Sequence, residues 1–368
     1  MNENSSPIRI LHIVTYMGRG GLETMLMNYY RHIDRSRVQF DFLVHRDFEA
    51  DYDQEILSLG GKIHRISRLI PWSGNYRKEL KAFFNSHPEY KIVHVHQDCL
   101  SSVALQCAKE CGIPVRIAHC HSSSQDKNLR YLIKRYYMRL IPTYATDLFA
   151  CSQAAGNWMF RGAPFRVIPN GIFLSDYRYD PETAHTVRQS LALGDGPVIG
   201  HVGRFDPVKN HTFLLDIFRH IIQTEPRAKL LLVGDGALRN AMEEKAATLG
   251  IREQVVFAGL RSDVPQLLQA MDAFAFPSIY EGLPVSIIEA QAAGLPCLVS
   301  TGVPAECALI PELVSHKSLE TSAEEWAAEL LKMAAMPRED HSDELRSAGY
   351  DITANATELE EYYLEKYC

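Results

Sequence analysis

The sequence contains no apolar run long enough to cross a bilayer, and residues 1–7 lack the basic-then-apolar pattern of a secretory signal peptide. These absences argue against a membrane-spanning or secreted chain, and we expect a cytoplasmic protein. The eight cysteines show no paired spacing of the kind found in structural metal sites, which favours reduced thiols. Low-complexity stretches and short-period repeats are also absent, so the pattern does not indicate a repeat architecture.

Charge is distributed unevenly along the chain. Residues 1–173 contain 22 of the 38 Lys and Arg and 15 of the 45 Asp and Glu, which gives a net charge of +7. The remaining residues have a net charge of −14, so that the whole chain carries −7. This asymmetry favours different partners for the two halves, although drift between two soluble domains explains it equally well. The overall acidity and the lack of a recognisable module argue against nucleic-acid binding.

Short apolar runs alternate with helical patterns throughout, which predicts an α/β fold with parallel sheets covered on both faces. Two sets of strands indicate two doubly wound, Rossmann-like domains, and 368 residues suffice for both. The predicted strands are Ile8–Thr15, Val38–His45, Lys91–His96, Val115–His119 and Asp147–Cys151, then Val198–Val202, Ala228–Val233, Val255–Ala258, Ala273–Phe276 and Cys297–Ser300. Predicted helices include Leu22–His32, Ser101–Cys111, Asn128–Leu140 and Ala323–Met336.

The boundary between the two domains is predicted near Ile168–Gly171, where a strand ends in turn residues. The first domain would then comprise residues 1–173 and the second residues 174–353.

Most glycine-rich and polar clusters follow a predicted strand, and ligands of open α/β sheets bind outside the carboxyl ends of strands. We therefore expect one ligand-binding edge in each domain, and a cleft between the domains if the two edges face each other. These clusters are Gly18–Gly21, His119–Ser124, Gly203–Asn210, Gly234–Gly236, Gly259–Arg261 and Ser278–Pro284.

The most informative stretch is Pro277–Glu289, which places two carboxylates eight positions apart across a turn and the start of a helix. The apolar residues before it predict a buried strand, and Ser286–Ala293 is predicted as a helix that ends at Gly294. The turn exposes backbone N–H groups at a helix N-terminus, where phosphate is favoured. Glu281 precedes this anion site and Glu289 lies two turns into the helix. The pattern therefore predicts that the two carboxylates contact different parts of one ligand, such as a nucleotide with a sugar on its phosphate.

Four motifs in order support a family resemblance: Met17–Thr24, His201–Asn210, Val233–Gly236 and Glu281–Glu289. With these motifs, from about residue 8 to about residue 300, the chain resembles the retaining glycosyltransferases of family 4. Ile10–Val14 and Asp34–Leu43 resemble the EpsF-like exopolysaccharide and capsule branch. The resemblance implies a GT-B fold, in which two Rossmann-like domains face a cleft and the last helix, here residues 354–368, completes the first domain.

The same resemblance implies the reaction. A hexose or N-acetylhexosamine would pass from a nucleotide sugar, with UDP the favoured nucleotide, to a glycan or lipid-linked acceptor in cell-surface polysaccharide synthesis. The basic first domain would hold the acceptor and the acidic second domain the donor. No pair of carboxylates is placed as nucleophile and acid/base around an anomeric carbon, unlike the glycosidase pattern. Retention would then proceed by leaving-group-assisted attack on the same face of the sugar.

The resemblance assigns roles to individual residues. Arg204 and Lys209 would stabilise the diphosphate leaving group, and both follow a predicted strand that can aim them at a ligand. Glu289 would accept hydrogen bonds from the ribose hydroxyls, and Glu281 would face the donor sugar. His119 would be the histidine of the catalytic region, with His121 as the second choice. The predicted ligand-binding positions are Gly20, Gly21, Gly203, Gly234, Gly236, Arg261, Gly282, Leu283, Pro284, Val285, Ser286 and Glu289.

Four histidines form two pairs at strand ends, His94 and His96, then His119 and His121. Histidines two apart on a strand share one face, so the four could suggest a zinc site. Hydrogen-bonded histidines at strand ends are the commoner explanation. We assign no metal ligand and expect neither a metal ion nor a cofactor, because cationic side chains and a helix terminus can replace the metal in stabilising a diphosphate.

The segment Asn128–Arg139 is basic, aromatic and helical in pattern. Such a helix can lie on an anionic membrane surface, which would suit a lipid-linked acceptor and a peripheral position at the inner face of a membrane. An amphipathic helix that packs on the sheet is the alternative.

Other functions also stay open: a nucleotide-sugar epimerase of the same fold, a nicotinamide dehydrogenase that uses Gly18–Gly21, and a non-catalytic carbohydrate-binding protein. The glycine spacing departs from G-x-G-x-x-G, which counts against the dehydrogenase.

Overall fold

The computed structural model describes residues 6–122 and 131–367, which form two compact units. Unit 1 extends to Ile172 and resumes at Gly349, and unit 2 comprises Phe173–Ala348. The predicted boundary after residue 173 differs from this division by one residue. The second predicted domain extends to residue 353, whereas the chain returns to unit 1 at Gly349. The return is fixed by two backbone hydrogen bonds, from Ile172 N to Tyr350 O at 2.9 Å and from Ile352 N to Ile172 O at 3.0 Å.

Unit 1 contains a seven-stranded parallel sheet in the order β3-β2-β1-β4-β5-β6-β7. Its strands are β1 Ile8–Ile13, β2 Val38–Val44, β3 Ile63–Arg65, β4 Ile92–Val95, β5 Val115–Cys120, β6 Asp147–Ala150 and β7 Arg166–Val167. Its helices are α1 Gly21–His32, α2 Asp53–Ser58, α3 Gly74–Ser86, α4 Ser101–Glu110, α5 Tyr131–Tyr144 and α6 Gln153–Phe160. Every residue of β2 and of β4 is buried, as expected for strands covered on both faces.

Unit 2 contains a six-stranded parallel sheet in the order β10-β9-β8-β11-β12-β13. Its strands are β8 Val198–Val202, β9 Lys229–Val233, β10 Val255–Gly259, β11 Ala273–Phe276, β12 Cys297–Ser300 and β13 Val314–Lys317. Its helices are α7 Leu174–Tyr177, α8 Pro181–Ser190, α9 His211–Thr224, α10 Arg239–Thr248, α11 Val264–Gln269, α12 Val285–Ala292, α13 Ala323–Met333 and α14 Ser342–Ser347. Both sheets have the doubly wound order, so the α/β prediction with two Rossmann-like domains is confirmed.

The last helix, α15 Ile352–Tyr367, belongs to unit 1 and packs against α1. Its apolar side contributes Ile352 and Tyr363 to the core that covers one face of the sheet. Glu360 joins α15 to the chain before β2, because its carboxylate accepts hydrogen bonds from Asp34 N at 2.8 Å and from Arg37 Nη1 at 2.5 Å. The helix thus buries apolar surface and a paired carboxylate in the same contact.

None of the helices within residues 6–122 and 131–367 combines the length and hydropathy needed to cross a bilayer. The described cysteines form no disulfide with one another, and all except the partly exposed Cys111 are buried. Residues 128–130 of the predicted helix Asn128–Leu140 lie outside the described residues, and so do residues 123 and 124 of the cluster His119–Ser124.

Candidate functional site

In unit 2 the strand order reverses between β8 and β11, whose neighbours β9 and β12 lie to opposite sides. Loops that leave two such strands diverge, and the space between them is where doubly wound sheets bind ligands. The loop after β8 carries Arg204 and Lys209, and the loop after β11 carries Glu281. The sheet topology therefore brings Arg204 and Lys209 to the same point of the sheet as Glu281, although Glu281 is distant from them in sequence.

Lys209 and Glu281 form an ion pair at this point. Lys209 Nζ donates to Glu281 Oε1 at 2.7 Å, and the two side chains are only 17% and 13% exposed. The ammonium also lies 4.5 Å from the centre of the Phe276 ring. A buried cation between a carboxylate and an aromatic face is held in one place, and its remaining N–H groups can donate to a further anionic ligand.

A tight turn sets the position of Lys209. Residues Pro207–Lys209 form one turn of 3₁₀ helix, and Asp206 accepts a hydrogen bond from Lys209 N at 3.2 Å. Asn210 ends the turn with a φ of 54°, a left-handed conformation that asparagine tolerates. Arg204 has a different environment, because its side chain is 77% exposed and its Nε donates to Asp206 Oδ2 at 2.9 Å. Among the described contacts, Arg204 pairs with Asp206 and not with the Lys209–Glu281 pair.

The glycines after β8 and β9 allow two loops to touch backbone to backbone. A Cβ on Gly234, which has a φ of +136°, would lie 2.1 Å from the carbonyl oxygen of Gly203. A Cβ on Gly236 would lie 2.6 Å from the carbonyl oxygen of Phe205. Phe205 N donates to Asp235 O at 3.0 Å, which joins the loops directly. Gly234 and Gly236 are therefore required for the close approach between their loop and the loop that carries Arg204 and Lys209, whereas a Cβ on Gly203 would lie 2.8 Å from His201 Nε2.

The loop Ser278–Pro284 leads into α12 and is fixed at both sides. Ile279 N donates to Val208 O at 2.8 Å, and Glu281 N donates to Gly302 O at 3.2 Å. Helix α12 begins at Val285, and among the described residues no side chain caps its first turn. The predicted ligand-binding residues of this segment therefore lie at or next to an uncapped helix N-terminus, where backbone N–H groups favour an anion. They are Gly282, Leu283, Pro284, Val285 and Ser286.

Glu289 lies on α12, one turn beyond the first, and is partly buried. The Tyr177 hydroxyl donates to Glu289 Oε1 at 2.8 Å. Burial raises the pKa of Glu289, and the hydrogen bond from Tyr177 acts in the opposite direction. One carboxylate oxygen of Glu289 is therefore held by the Tyr177 hydroxyl, and its predicted contact with a ribose stays a prediction.

Arg261 follows β10 and donates from Nη2 to Asp263 Oδ2 at 2.5 Å, with a side chain that is about one-third exposed. This hydrogen bond to Asp263 raises the pKa of Arg261. No described contact joins Arg261 to the Lys209–Glu281 pair or to Glu289. Its predicted contact with the ligand thus stays a prediction, based only on its place after a strand of the same sheet.

In unit 1 the predicted glycines Gly20 and Gly21 lie at the start of α1, which begins at Gly21. A Cβ on Gly20 would lie 2.3 Å from the Glu23 carboxylate, whereas a Cβ on Gly21 would meet nothing within 4 Å. Burial raises the pKa of Glu23. A side chain at Gly20 would displace the end of the Glu23 side chain, and Gly21 leaves open space at the helix N-terminus.

The two candidate histidines differ in position. His119 lies inside β5 and is 2% exposed, whereas His121 follows the strand and is partly exposed. His94 Nε2 lies 3.2 Å from His119 Nδ1, and His96 Nδ1 lies 3.0 Å from His121 Nε2. Each candidate therefore has one ring nitrogen in contact with a histidine of β4, and the assignment of the catalytic-region histidine to His119, with His121 as the second choice, stays a prediction.

Sequence reasoning did not identify several residues of these sites. His12 was missed because a single histidine in an apolar strand gives no signal, yet its Nδ1 lies 3.1 Å from His96 Nε2. Tyr177 was missed because it lies 112 positions from Glu289. Gly302 had a usable signal, since it follows the predicted strand Cys297–Ser300 in the same manner as the other loop glycines.

Comparison with known proteins agrees with this geometry. Residues 19–176 match the family model described as Glycosyltransferase Family 4, and residues 184–351 match that of Glycosyl transferases group 1. A Bacillus subtilis (strain 168) protein described as the glycosyltransferase EpsF is 36% identical over 98% of this chain and 97% of its own. The chain belongs to the family 4 glycosyltransferases. It is a transferase enzyme, and its resemblance to the EpsF-like branch is confirmed.

This glycosyltransferase is also similar to more distant proteins. An Escherichia coli UDP-Gal:alpha-D-GlcNAc-diphosphoundecaprenol alpha-1,3-galactosyltransferase is 29% identical over 58% of each chain. The crystal structure of Anabaena Alr3699/HepE in complex with UDP and glucose has a TM-score of 0.79 at 20% identity, and the match covers 97% of this chain and 100% of that one. The GT-B fold, with its two Rossmann-like domains, is confirmed for the family 4 enzyme.

Proposed function

We propose that this glycosyltransferase moves a hexose or N-acetylhexosamine from a UDP-sugar to a glycan or lipid-linked acceptor in cell-surface polysaccharide synthesis, with retention of the anomeric configuration. The observation that carries the proposal is the Lys209–Glu281 pair at the β8/β11 switch point, beside the uncapped start of α12. The names of relatives support the substrate classes. One relative is named for UDP-Gal and a diphosphoundecaprenol acceptor, and the HepE structure contains UDP and glucose.

The donor is assigned to unit 2 by the chemistry of its side chains. Lys209 and the N–H groups at the start of α12 would neutralise the charge that develops on the diphosphate as the sugar bond breaks. Arg204, with its exposed guanidinium, is the second cation of this loop. Glu289 would accept hydrogen bonds from the ribose hydroxyls, in the orientation that Tyr177 imposes. These groups stabilise a diphosphate leaving group through their own charges and dipoles, so the proposal assigns no metal ion or cofactor to the donor site.

Retention is proposed from the family resemblance, and the Lys209–Glu281 ion pair supports it. Glu281 is paired with Lys209, so it is placed to orient the donor rather than to attack the anomeric carbon. The acceptor hydroxyl would then attack on the face that the diphosphate leaves, and the departing phosphate oxygen would take its proton. The proposal gives the acceptor to unit 1, near Gly20, Gly21 and the histidine of the catalytic region.

The first test of the donor assignment is thermal unfolding of the full chain with candidate nucleotides and no acceptor. A ligand at 100 times its Kd stabilises the native state by about 2.7 kcal/mol. We expect UDP and one UDP-sugar to raise the melting temperature, while GDP, ADP and NAD(H) leave it unchanged. A rise with NAD(H) alone would favour the dehydrogenase, and interconversion of the UDP-sugar without acceptor would favour the epimerase.

We also propose peripheral contact with an anionic membrane through α5, at the cytoplasmic face. Leu132 and Tyr136 on α5 are 72% and 61% exposed, and Trp72 is 69% exposed. The Tyr137 hydroxyl donates to Pro71 O at 3.1 Å, which brings the Trp72 segment beside the helix. Exposed Arg139 adds positive charge to this apolar surface. Apolar side chains with nearby cations are the combination that binds anionic interfaces.

Substitution of the exposed apolar side chains tests the membrane proposal. We expect the double variant Trp72→Ser, Leu132→Ser to lose most co-flotation with phosphatidylglycerol-containing vesicles, because the buried apolar area supplies the binding energy. Leu260→Ser removes a side chain of similar exposure, 58%, from unit 2 and serves as the matched control. Equal flotation of the double variant and the wild type would contradict the proposal, as would a wild type that does not float with any vesicle.

A further inference from the structure

Five histidines from three neighbouring strands lie on one face of the unit 1 sheet. His12 is on β1, His94 and His96 are on β4, His119 is on β5, and His121 directly follows β5. His12 and His94 are paired in the parallel register. Within the described residues these side chains form two groups with metal-binding spacing, and the second group contains His96, His119 and His121. Each of these three has a ring nitrogen within 4.8 Å of those of the other two.

The histidines form two hydrogen-bonded rows. In the first row, His96 Nε2 lies 3.1 Å from His12 Nδ1, and His96 Nδ1 lies 3.0 Å from His121 Nε2. In the second row, His94 Nδ1 lies 2.7 Å from the Tyr363 hydroxyl oxygen, and His94 Nε2 lies 3.2 Å from His119 Nδ1. Two imidazole nitrogens at this separation must have a proton between them, or a metal ion in its place.

The arrangement also leaves ring nitrogens without partners. Among the described residues, His119 Nε2 and His121 Nδ1 are buried and accept or donate no hydrogen bond. A buried imidazole nitrogen that lacks a partner costs free energy, and such atoms in native proteins call for an explanation. His119 Nδ1 contacts His94 in the second row, so the His119 nitrogen that remains for a ligand is Nε2.

We propose that His96, His119 and His121 form a binding site for one divalent transition-metal ion, with zinc as the best match. Three neutral imidazoles with an open fourth position are an established zinc ligand set. Tetrahedral zinc with bonds of 2.0–2.1 Å places its ligand nitrogens about 3.3 Å apart. His96 Nδ1 and His121 Nε2 are already 3.0 Å apart, so little movement is needed on that side.

The remaining residues of the two rows serve as outer partners of the metal ligands. His96 would bind through Nδ1 and donate from Nε2 to His12, and His119 would bind through Nε2 and donate from Nδ1 to His94. His94 would in turn donate from Nδ1 to the Tyr363 oxygen. Metal-binding histidines commonly use the second nitrogen in this way, because the contact fixes both the tautomer and the ring orientation.

The other group, His12, His94 and His96, is a poorer site. All three are buried, and the ring of His12 lies 4.2 Å from that of Phe40. A cation there would be shielded from solvent, which makes its burial costly. His96 is shared by the two groups, so one ion excludes the other. His121 is partly exposed, whereas all three residues of the other group are buried.

The test is cobalt binding to the full chain without a polyhistidine tag, after treatment with a chelator. Cobalt(II) replaces zinc with the same ligands and gives strong visible absorption when it is tetrahedral. We expect one equivalent to bind, and we expect zinc to displace it. His121→Gln and His119→Gln should each weaken binding by at least about 100-fold, since even outer partners contribute 10–100-fold. His185→Gln changes an exposed histidine of unit 2 and should leave binding unchanged.

Tyr363→Phe separates the site from a general effect on folding, because it removes one hydroxyl that contacts His94. Tyr363 contacts His94 and not a metal ligand, so we expect a loss of cobalt affinity below the ~10–100-fold that a direct outer partner contributes. Absence of tetrahedral cobalt absorption in the wild type, or equal absorption in the wild type and the His121→Gln and His119→Gln variants with melting curves intact, would overturn the proposal. The readout does not involve sugar transfer, so a chain that binds UDP but no cobalt refutes the metal site and leaves the glycosyltransferase assignment in place.

Discussion

Lys209→Ala and Glu281→Gln should each lower the turnover of a UDP-sugar by about 100- to 1000-fold, the range found when one preorganised group that stabilises transition-state charge is removed. Lys209 has the larger expected effect on kcat, because its charge matters most when the sugar bond breaks. Glu281 holds that ammonium at 2.7 Å and faces the proposed sugar position. The measurement is release of UDP or transfer of labelled sugar under saturating donor.

The same ion pair also has a purely structural interpretation, which a double variant can distinguish. Removal of one partner leaves the other charge partly buried and unpaired, which by itself destabilises the fold. If the pair were only structural, Lys209→Met combined with Glu281→Gln would restore both the melting temperature and the activity. We expect the double variant to recover stability but not turnover, because the leaving group still lacks its cation.

A second ion pair in unit 2 offers a matched control. Lys317 Nζ donates to Glu329 Oε2 at 3.0 Å, and the two side chains are 20% and 34% exposed. Lys317→Ala therefore removes a similar partly buried lysine on β13, away from the β8/β11 switch point. We expect it to change turnover by less than about twofold. A loss equal to that of Lys209→Ala would mean that the effect comes from destabilised unit 2 and not from the site.

The central strands could be predicted from the sequence because each is a continuous apolar run between polar loops. Ala273–Phe276 and Cys297–Ser300 were predicted with the bounds that the structure has. The strands β3 and β13 were not predicted, and β7 was expected only as a strand that ends near Ile168; all three are short and lie at a sheet edge. Edge strands are half covered, so their sequences carry little apolar signal, as in the Ser-His-Lys that ends β13.

The local sequence predicted where the loops of the site lie, but it did not predict which residues of different loops contact each other. The turn that carries Lys209 and the start of α12 each depend on a few consecutive residues. The contact between Lys209 and Glu281 joins positions 72 apart, and only the sheet topology brings them together. The predicted strand ended at His119, whereas β5 continues to Cys120, so the sequence did not place His119 inside the strand and His121 directly after it.

Glu289→Gln should weaken UDP binding by about 10- to 100-fold, because hydrogen bonds to a charged acceptor contribute about 1.5–3 kcal/mol and each 1.4 kcal/mol is a factor of ten. The comparison of UDP with 2′-deoxy-UDP makes the test specific. If Glu289 accepts hydrogen bonds from the ribose, the wild type should prefer UDP and Glu289→Gln should bind the two nucleotides with similar affinity. Isothermal titration gives both affinities without an acceptor.

Tyr177→Phe provides the intermediate case, because it removes the hydroxyl that holds Glu289 Oε1 at 2.8 Å and leaves the carboxylate in place. We expect a smaller loss of UDP affinity, with the preference for the 2′-hydroxyl partly retained. Glu312→Gln, a change at an exposed glutamate of the same unit, should have no effect. A Glu289→Gln variant that still discriminates against 2′-deoxy-UDP as strongly as the wild type would show that the ribose is bound by other groups, and that Glu289 only stabilises the contact between α12 and α7.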